Sequence, residues 1–279
     1  MLERPYVLLS CGMSIDGYVD SPSDERLLLS NSADFDRVDE VRAGCDAILV
    51  GAGTIRRDNP RLLVRDETRR KARVARGERP DPVKVTVTNS CRLDPEASFF
   101  AVGDADKLVY CASPSIPNAR RRLGEVATVI DGGDPVDLCR VITDLHGRGV
   151  DRLMVEGGGT IHTGFLTAGL ADELQLVVAP FFVGDSRAPR FVGDGTFPWG
   201  AGAPREPHRG PSDRRRGAAA VRALRPLPGL TGWPSCLKIE MGGGCPRRWA
   251  WGRFRRPRYG RASPSRCATP TATRRRRRC

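Results

Sequence analysis

The sequence lacks what several protein classes require. No run of about 18 apolar residues occurs, so a membrane-spanning helix is not expected. Histidine is scarce: His146, His162 and His208 are the only three, and none is followed by x-E. No P-C-x-x-C, and no C-x-x-C of any kind, is present. The zinc site of a nucleobase deaminase needs both elements, so that chemistry is excluded and no metal is expected. Of the nine cysteines, Cys11, Cys45, Cys91, Cys111 and Cys139 lie far apart, several within apolar runs. They read as reduced thiols of a cytoplasmic protein. Within Met1–Ser14 only Tyr6–Leu9 is continuously apolar, which is too short for a secretory leader.

Acidic residues are also scarce, but only at one end. The net charge is +13, yet residues 1–199 carry 25 basic and 30 acidic side chains, whereas residues 200–279 carry 21 and 3. Basic character therefore belongs to the last 80 residues and not to the body. The body is long enough for a sizeable core.

In residues 1–199, short apolar runs alternate with helical patterns. Tyr6–Cys11, Ala47–Val50, Val83–Thr88, Lys107–Cys111, Val126–Ile130, Arg152–Glu156 and Leu174–Ala179 read as strands. Asp34–Ala43, Val136–Gly147 and Thr160–Ala168 read as helices. In the second, Leu138, Val141, Ile142 and Leu145 fall at i, i+3, i+4 and i+7. Apolar strands separated by helices predict an α/β fold with a mostly parallel sheet covered on both faces. Thr68–Pro82 is charged and reads as a surface excursion.

Three segments carry chemical signals. Ala47–Pro60, AILVGAGTIRRDNP, runs from an apolar strand into a glycine-rich turn with the pattern G-x-G-x-x-R. Arg152–Gly164, RLMVEGGGTIHTG, ends a strand on Glu156 and passes through three glycines into a helix. Such a turn brings backbone N–H groups to a helix N-terminus, where anions bind. Gly12–Gly17, GMSIDG, places Asp16 in a glycine-flanked turn. Each segment alone also fits a plain tight turn.

Together with PVKVTVT, LMVEGGGTIHTGFLTAGLADEL and LVVAPFFVG, these segments resemble the reductase domain of the riboflavin-biosynthesis deaminase/reductase family, within the dihydrofolate reductase-like superfamily. The resemblance covers residues 4–199 and implies a mostly parallel central sheet flanked by helices. It implies reduction by NADPH of the ribosyl group of 5-amino-6-(5-phosphoribosylamino)uracil, hydride passing to C1′ of the opened sugar. Cofactor contacts are expected at Gly12, Leu28, Thr54, Asp58, Asn89, Gly158, Gly159, Thr160, Ile161, His162, Thr163 and Gly164. Substrate contacts are expected at Arg26, Arg42, Leu62, Arg65 and Glu156, with Arg42 and Arg65 suited to grip a phosphate. Glu156 and Asp16 are the catalytic candidates, Asp16 as an orienting or proton-relaying carboxylate. Family members are usually homodimers. The expected partner is a small molecule, without membrane or nucleic acid. A reductase of another pyrimidine or of a pterin remains the alternative.

Residues 200–279 hold 10 Pro and 11 Gly, end in Arg274–Arg278 and show no sustained period. They read as a disordered basic tail without the antiparallel strand that closes the sheet in this family. Two accounts stand open. One is nucleic-acid binding by the arginines and interspersed aromatic residues. The other is a shifted reading frame, because a possible back-translation of Gly210–Leu224 yields an apolar strand one base later. A shifted frame would leave an inactive product as a further alternative.

Overall fold

Alternate residues of the central strands enter two different cores, one on each sheet face. Val7 and Leu9, Ala47 and Leu49, and Leu153 and Val155 enter one; Leu8, Ile48, Val50 and Met154 enter the other. The computed structural model describes residues 4–23 and 26–198, with the backbone of Arg222–Ala223 and Cys236–Glu240. The chain divides into units Met1–Cys245 and Pro246–Cys279; the second lies outside the described residues.

Seven strands run parallel: β1 (Tyr6–Ser14), β2 (Ala47–Gly51), β3 (Val83–Thr88), β4 (Lys107–Cys111), β5 (Thr128–Asp131), β6 (Arg152–Gly157) and β7 (Glu173–Ala179). Their order is β5-β4-β3-β2-β6-β1-β7, continued by two further strands, β9 (Cys236–Glu240) and β8 (Arg222–Ala223). The helices are α1 (Ser32–Ala43), α2 (Ala52–Asp58), α3 (Glu67–Ala75), α4 (Ser98–Ala101), α5 (Ile116–Leu123), α6 (Leu138–Gly147) and α7 (Gly159–Thr167). Val141, Ile142 and Leu145 of α6 and Phe165 and Leu166 of α7 cover one face. Ile55, Phe99, Phe100, Ala119 and Leu123 cover the other, joined by Val38 and Val41 of α1. The expected mostly parallel sheet between helices is therefore present.

Three sequence readings need correction. The segment Thr68–Pro82 is not a surface excursion throughout. It overlaps α3, whose Arg73 is 3% exposed and donates to the carbonyls of Ala43, Cys45 and Arg79. A high charge count hid a helix whose guanidinium satisfies buried backbone oxygens. α2 occupies what read as a glycine turn, and α5 begins with Pro117 in its first turn, where the missing N–H costs nothing.

A closing strand, not expected from the sequence, is present. β9 pairs antiparallel with β7, from Glu173↔Glu240 to Val177↔Cys236, and so covers the edge that β7 would present. Five residues reading C-L-K-I-E alternate too briefly to stand out among prolines and glycines. Otherwise the expected disorder, the nucleic-acid reading and the shifted-frame reading of residues 200–279 lie outside the described residues.

Candidate active-site cleft

Parallel sheets collect ligand-binding loops at the carboxyl ends of their strands. Here that edge opens into a cleft of about 1420 Å³. Gly12 of β1, the turn Gly51–Thr54 after β2, Thr88–Ser90 after β3 and Glu156–His162 after β6 all line it. The segment Arg26–Ser30 and the α1 face carrying Phe35, Val38 and Arg42 complete its walls.

The glycines of the β6–α7 turn have distinct jobs. Gly158 is the N-cap of α7, and no side chain caps that end. The first-turn N–H groups of an α-helix have no intrahelical acceptor, so this end is a site of partial positive charge. A Cβ on Gly158 would lie 3.4 Å from Thr54 Oγ1, in the gap between α2 and α7. A Cβ on Gly159 would fall 2.3 Å from the carbonyl oxygen of Arg190, and one on Gly51 2.7 Å from Ile161 Cγ1. Glycine thus keeps the gap open at Gly158 and permits close packing at Gly51 and Gly159.

His162, one turn into α7, is 1% exposed and packs against the Phe191 ring. Burial lowers its pKa to about 4, so the imidazole is neutral at neutral pH. Neither ring nitrogen has a hydrogen-bond partner among the described residues.

On the α1 side, Arg42 holds Glu156 through two parallel bonds of 2.6 Å, from Nε to Oε1 and from Nη2 to Oε2. Its Nη1 donates to the Leu63 carbonyl at 3.2 Å. Burial opposes the charge on Arg42, but the Glu156 carboxylate outweighs it and raises the pKa. Arg65 also lines the cleft, with its guanidinium 5.4 Å from the Phe35 ring centroid. Asp58 lies at the rim, where burial and the nearby Asp20 charge raise its pKa against the opposing pull of Arg26 and Arg57.

The cleft brings together Gly12, Arg26, Leu28, Arg42, Thr54, Asp58, Arg65, Asn89, Glu156 and the residues Gly158–His162. The remaining expected site residues are placed elsewhere. Asp16 is not in the lining. Its carboxylate accepts from Ser14 Oγ at 2.6 Å, from the Gly184 N–H at 2.8 Å and from the Val183 N–H at 3.1 Å. Burial pulls its pKa up, but those donors outweigh it and hold it at about 2. It ties the turn after β1 to the loop after β7.

Leu62 is buried in the core with φ 50°, which leaves only its backbone for a ligand. Thr163 bonds to Gly159 O and to the Gly193 N–H, and a Cβ on Gly164 would meet Leu138 Cδ1 at 2.9 Å. Both therefore face packing partners. The two-point grip expected of Arg42 on a phosphate is taken by Glu156. Asn89 uses its Oδ1 to accept from the Val136 N–H at 3.0 Å, joining two walls of the cleft.

Sequence reading missed Phe35 and Asp39. They share with Arg42 the i, i+4, i+7 face of α1. Asp39 is one of three acidic residues within D-R-V-D-E-V-R, and nothing in that pattern marks it as the one that is 2% exposed.

The RibD C-terminal domain model matches residues 5–201. The 2,5-diamino-6-ribosylamino-4(3H)-pyrimidinone 5′-phosphate reductase of Archaeoglobus fulgidus is 36% identical over 188 residues, spanning 67% of this chain and 85% of its own. The enzyme of the same name from Methanothermobacter thermautotrophicus is 38% identical over 193 residues, 68% of this chain and 84% of its own. Among solved structures, a pyrimidine reductase-like protein from Corynebacterium diphtheriae shares the fold with a TM-score of 0.64 at 21% identity. That match covers 86% of this chain and 93% of the other.

Proposed function

The chain belongs to the RibD C-terminal domain family, and from that membership and the cleft we propose that it reduces a 6-ribosylaminopyrimidine 5′-phosphate with NADPH. The observation that carries the reading is one cleft lined both by a glycine-rich, uncapped helix end and by an Arg–Glu fork with a second arginine.

The residues present fit a dinucleotide. The open gap at Gly158 beside Thr54 and the α7 N-terminus, which no side chain caps, suit a diphosphate. A nicotinamide cofactor held there would supply the hydride for C1′ of the opened ribosyl group. The protein's part is orientation and charge. Arg65 holds the 5′-phosphate. Glu156, fixed by Arg42, accepts hydrogen bonds from the amino substituents of the pyrimidine. Leu28, 63% exposed and part of the cleft lining, offers an apolar surface to a ring.

The relatives named above act on the 2,5-diamino compound, and the uracil expected from the sequence differs from it at C2. We propose the 2,5-diamino compound for this chain, on the strength of the identities. The test is NADPH consumption, followed by absorbance, with each pyrimidine offered separately. Faster turnover of the 2,5-diamino compound supports the reading. Preference for the uracil reassigns the substrate. NADPH binding without turnover of either points to another pyrimidine or a pterin. Action as a homodimer in the cytoplasm is proposed from the family resemblance alone, and sedimentation tests the first part. Among the described residues no helix is long and apolar enough to cross a membrane.

A further inference from the structure

Arg65 sits on an irregular stretch, and an irregular stretch needs outside acceptors for its backbone. Residues 59–66 belong to no helix or strand after α2 ends, and Asn59 and Leu62 both have positive φ. Leu62 and Val64 are buried, so the alternation turns Arg65 outward towards the cleft.

Two buried carboxylates fasten this stretch. Asp81, 4% exposed, accepts from the Val64 N–H at 2.9 Å and from Arg70 Nη1 at 2.7 Å. Asp39, 2% exposed, accepts from the Arg65 N–H at 2.6 Å through Oδ1, and from the Asp66 N–H at 3.1 Å through Oδ2. Arg69 Nη1 also reaches Oδ2 at 3.1 Å, and Arg65 Nε stands 3.6 Å from Oδ1. One turn earlier on α1, the Phe35 carbonyl accepts from Arg65 Nη2 and the Phe35 ring lies under the guanidinium. One turn later, Arg42 bonds Leu63 O.

We infer that Asp39 is a positioning residue that sets Arg65, backbone and guanidinium together, for the substrate phosphate. This rests on the proposal that Arg65 is the phosphate contact. Asp39 touches no substrate in this scheme. Its two oxygens are both acceptors aimed at adjacent N–H groups. An asparagine supplies one acceptor and turns an NH₂ towards the other donors. The arm then loses its fixed geometry while the glycine cradle and the Arg42–Glu156 fork stay in place.

The experiment compares Asp39→Asn, Arg65→Ala and the double variant in the full chain. The readouts are KM, kcat, NADPH affinity and the preference for the 5′-phosphate over the dephosphorylated pyrimidine. Asp39→Asn is expected to raise KM about tenfold, the effect of losing one hydrogen bond to a charged group. It should leave kcat and NADPH affinity within about twofold and lower the phosphate preference. In the Arg65→Ala background it should add nothing, as coupled residues do. A raised KM in Arg65→Ala with an unchanged KM in Asp39→Asn overturns the inference and spares the phosphate reading. So does an equal increment from Asp39→Asn in both backgrounds. An unchanged KM in Arg65→Ala overturns the phosphate reading and the inference with it. If Asp39→Asn does not fold, Asp39→Glu, which keeps the charge and displaces both oxygens, is judged by the same outcomes.

Discussion

Arg42 and Glu156, 114 residues apart in the chain, meet at the cleft in a fork of two 2.6 Å bonds. Both side chains are largely withdrawn from water, at 17% and 14% exposure. A bidentate guanidinium–carboxylate pair fixes the plane of both groups as well as their separation. Glu156 is thereby a rigid acceptor, with both of its oxygens engaged by Arg42. Glu156→Gln should cost about 1.5–3 kcal/mol of transition-state binding, the range for hydrogen bonds to charged groups. That is about ten- to a hundredfold in kcat/KM. Steady-state kinetics checks this, and Arg42→Ala combined with Glu156→Gln should lose far less than the product of the two single effects.

Gly158 and Gly159 are neighbours with opposite expected outcomes. Gly158→Ala puts a methyl beside Thr54 Oγ1 in the open gap, with an ordinary φ of −71°. It should weaken NADPH binding about tenfold, or about 1.4 kcal/mol, with little change in Tm. Gly159→Ala drives a methyl into Arg190 O and should lower stability by about 1–3 kcal/mol. Cofactor titration and thermal unfolding separate the two effects.

His162 should make stability depend on pH. Its pKa falls from 6.5 to about 4 on folding. Between those values the unfolded chain binds the proton that the folded chain refuses. Stability is therefore full above about pH 6.5 and declines as the pH drops to about 4, by about 3 kcal/mol in all. His162→Leu should flatten that window in urea titrations and leave stability at pH 7 no lower, because it removes two buried nitrogens that have no partner among the described residues.

Asp16 should act in a different window. Its pKa is depressed from 3.8 to about 2, so its contribution is present above about 3.8 and disappears as the pH falls through about 2. Asp16→Asn should have a lower Tm than the parent at pH 7, and the difference should shrink across that interval. The acid limb of the kcat profile should not move, which distinguishes a clamp from a proton relay.

The antiparallel pairing of β9 with β7 gives a last test. Ending the chain after residue 199 removes β9 and leaves the β7 edge at Glu173–Val177 without that partner. Bare strand edges recruit other chains, so the shortened protein should aggregate or melt lower than the full chain in size-exclusion and thermal assays.

The sequence by itself determined the parallel sheet, because fully apolar runs such as Ala47–Val50 suit only strands buried on both faces. It also determined the glycine cradle, since the run Gly157–Gly159 joins a strand to a helix, and that local order defines a helix end. Tertiary structure alone decided how the charged groups pair. Arg42 and Arg65 look alike in sequence, yet one is bound to Glu156 and the other is held by Asp39 and Phe35. Asp16 and Asp39 look alike too, yet neither is among the residues that line the cleft. Both accept backbone N–H groups from distant segments. Strand and helix periods arise from neighbours along the chain and are legible there. The partner of a carboxylate or guanidinium is fixed only when distant segments meet and exclude water, because an unpaired buried charge is too costly to leave.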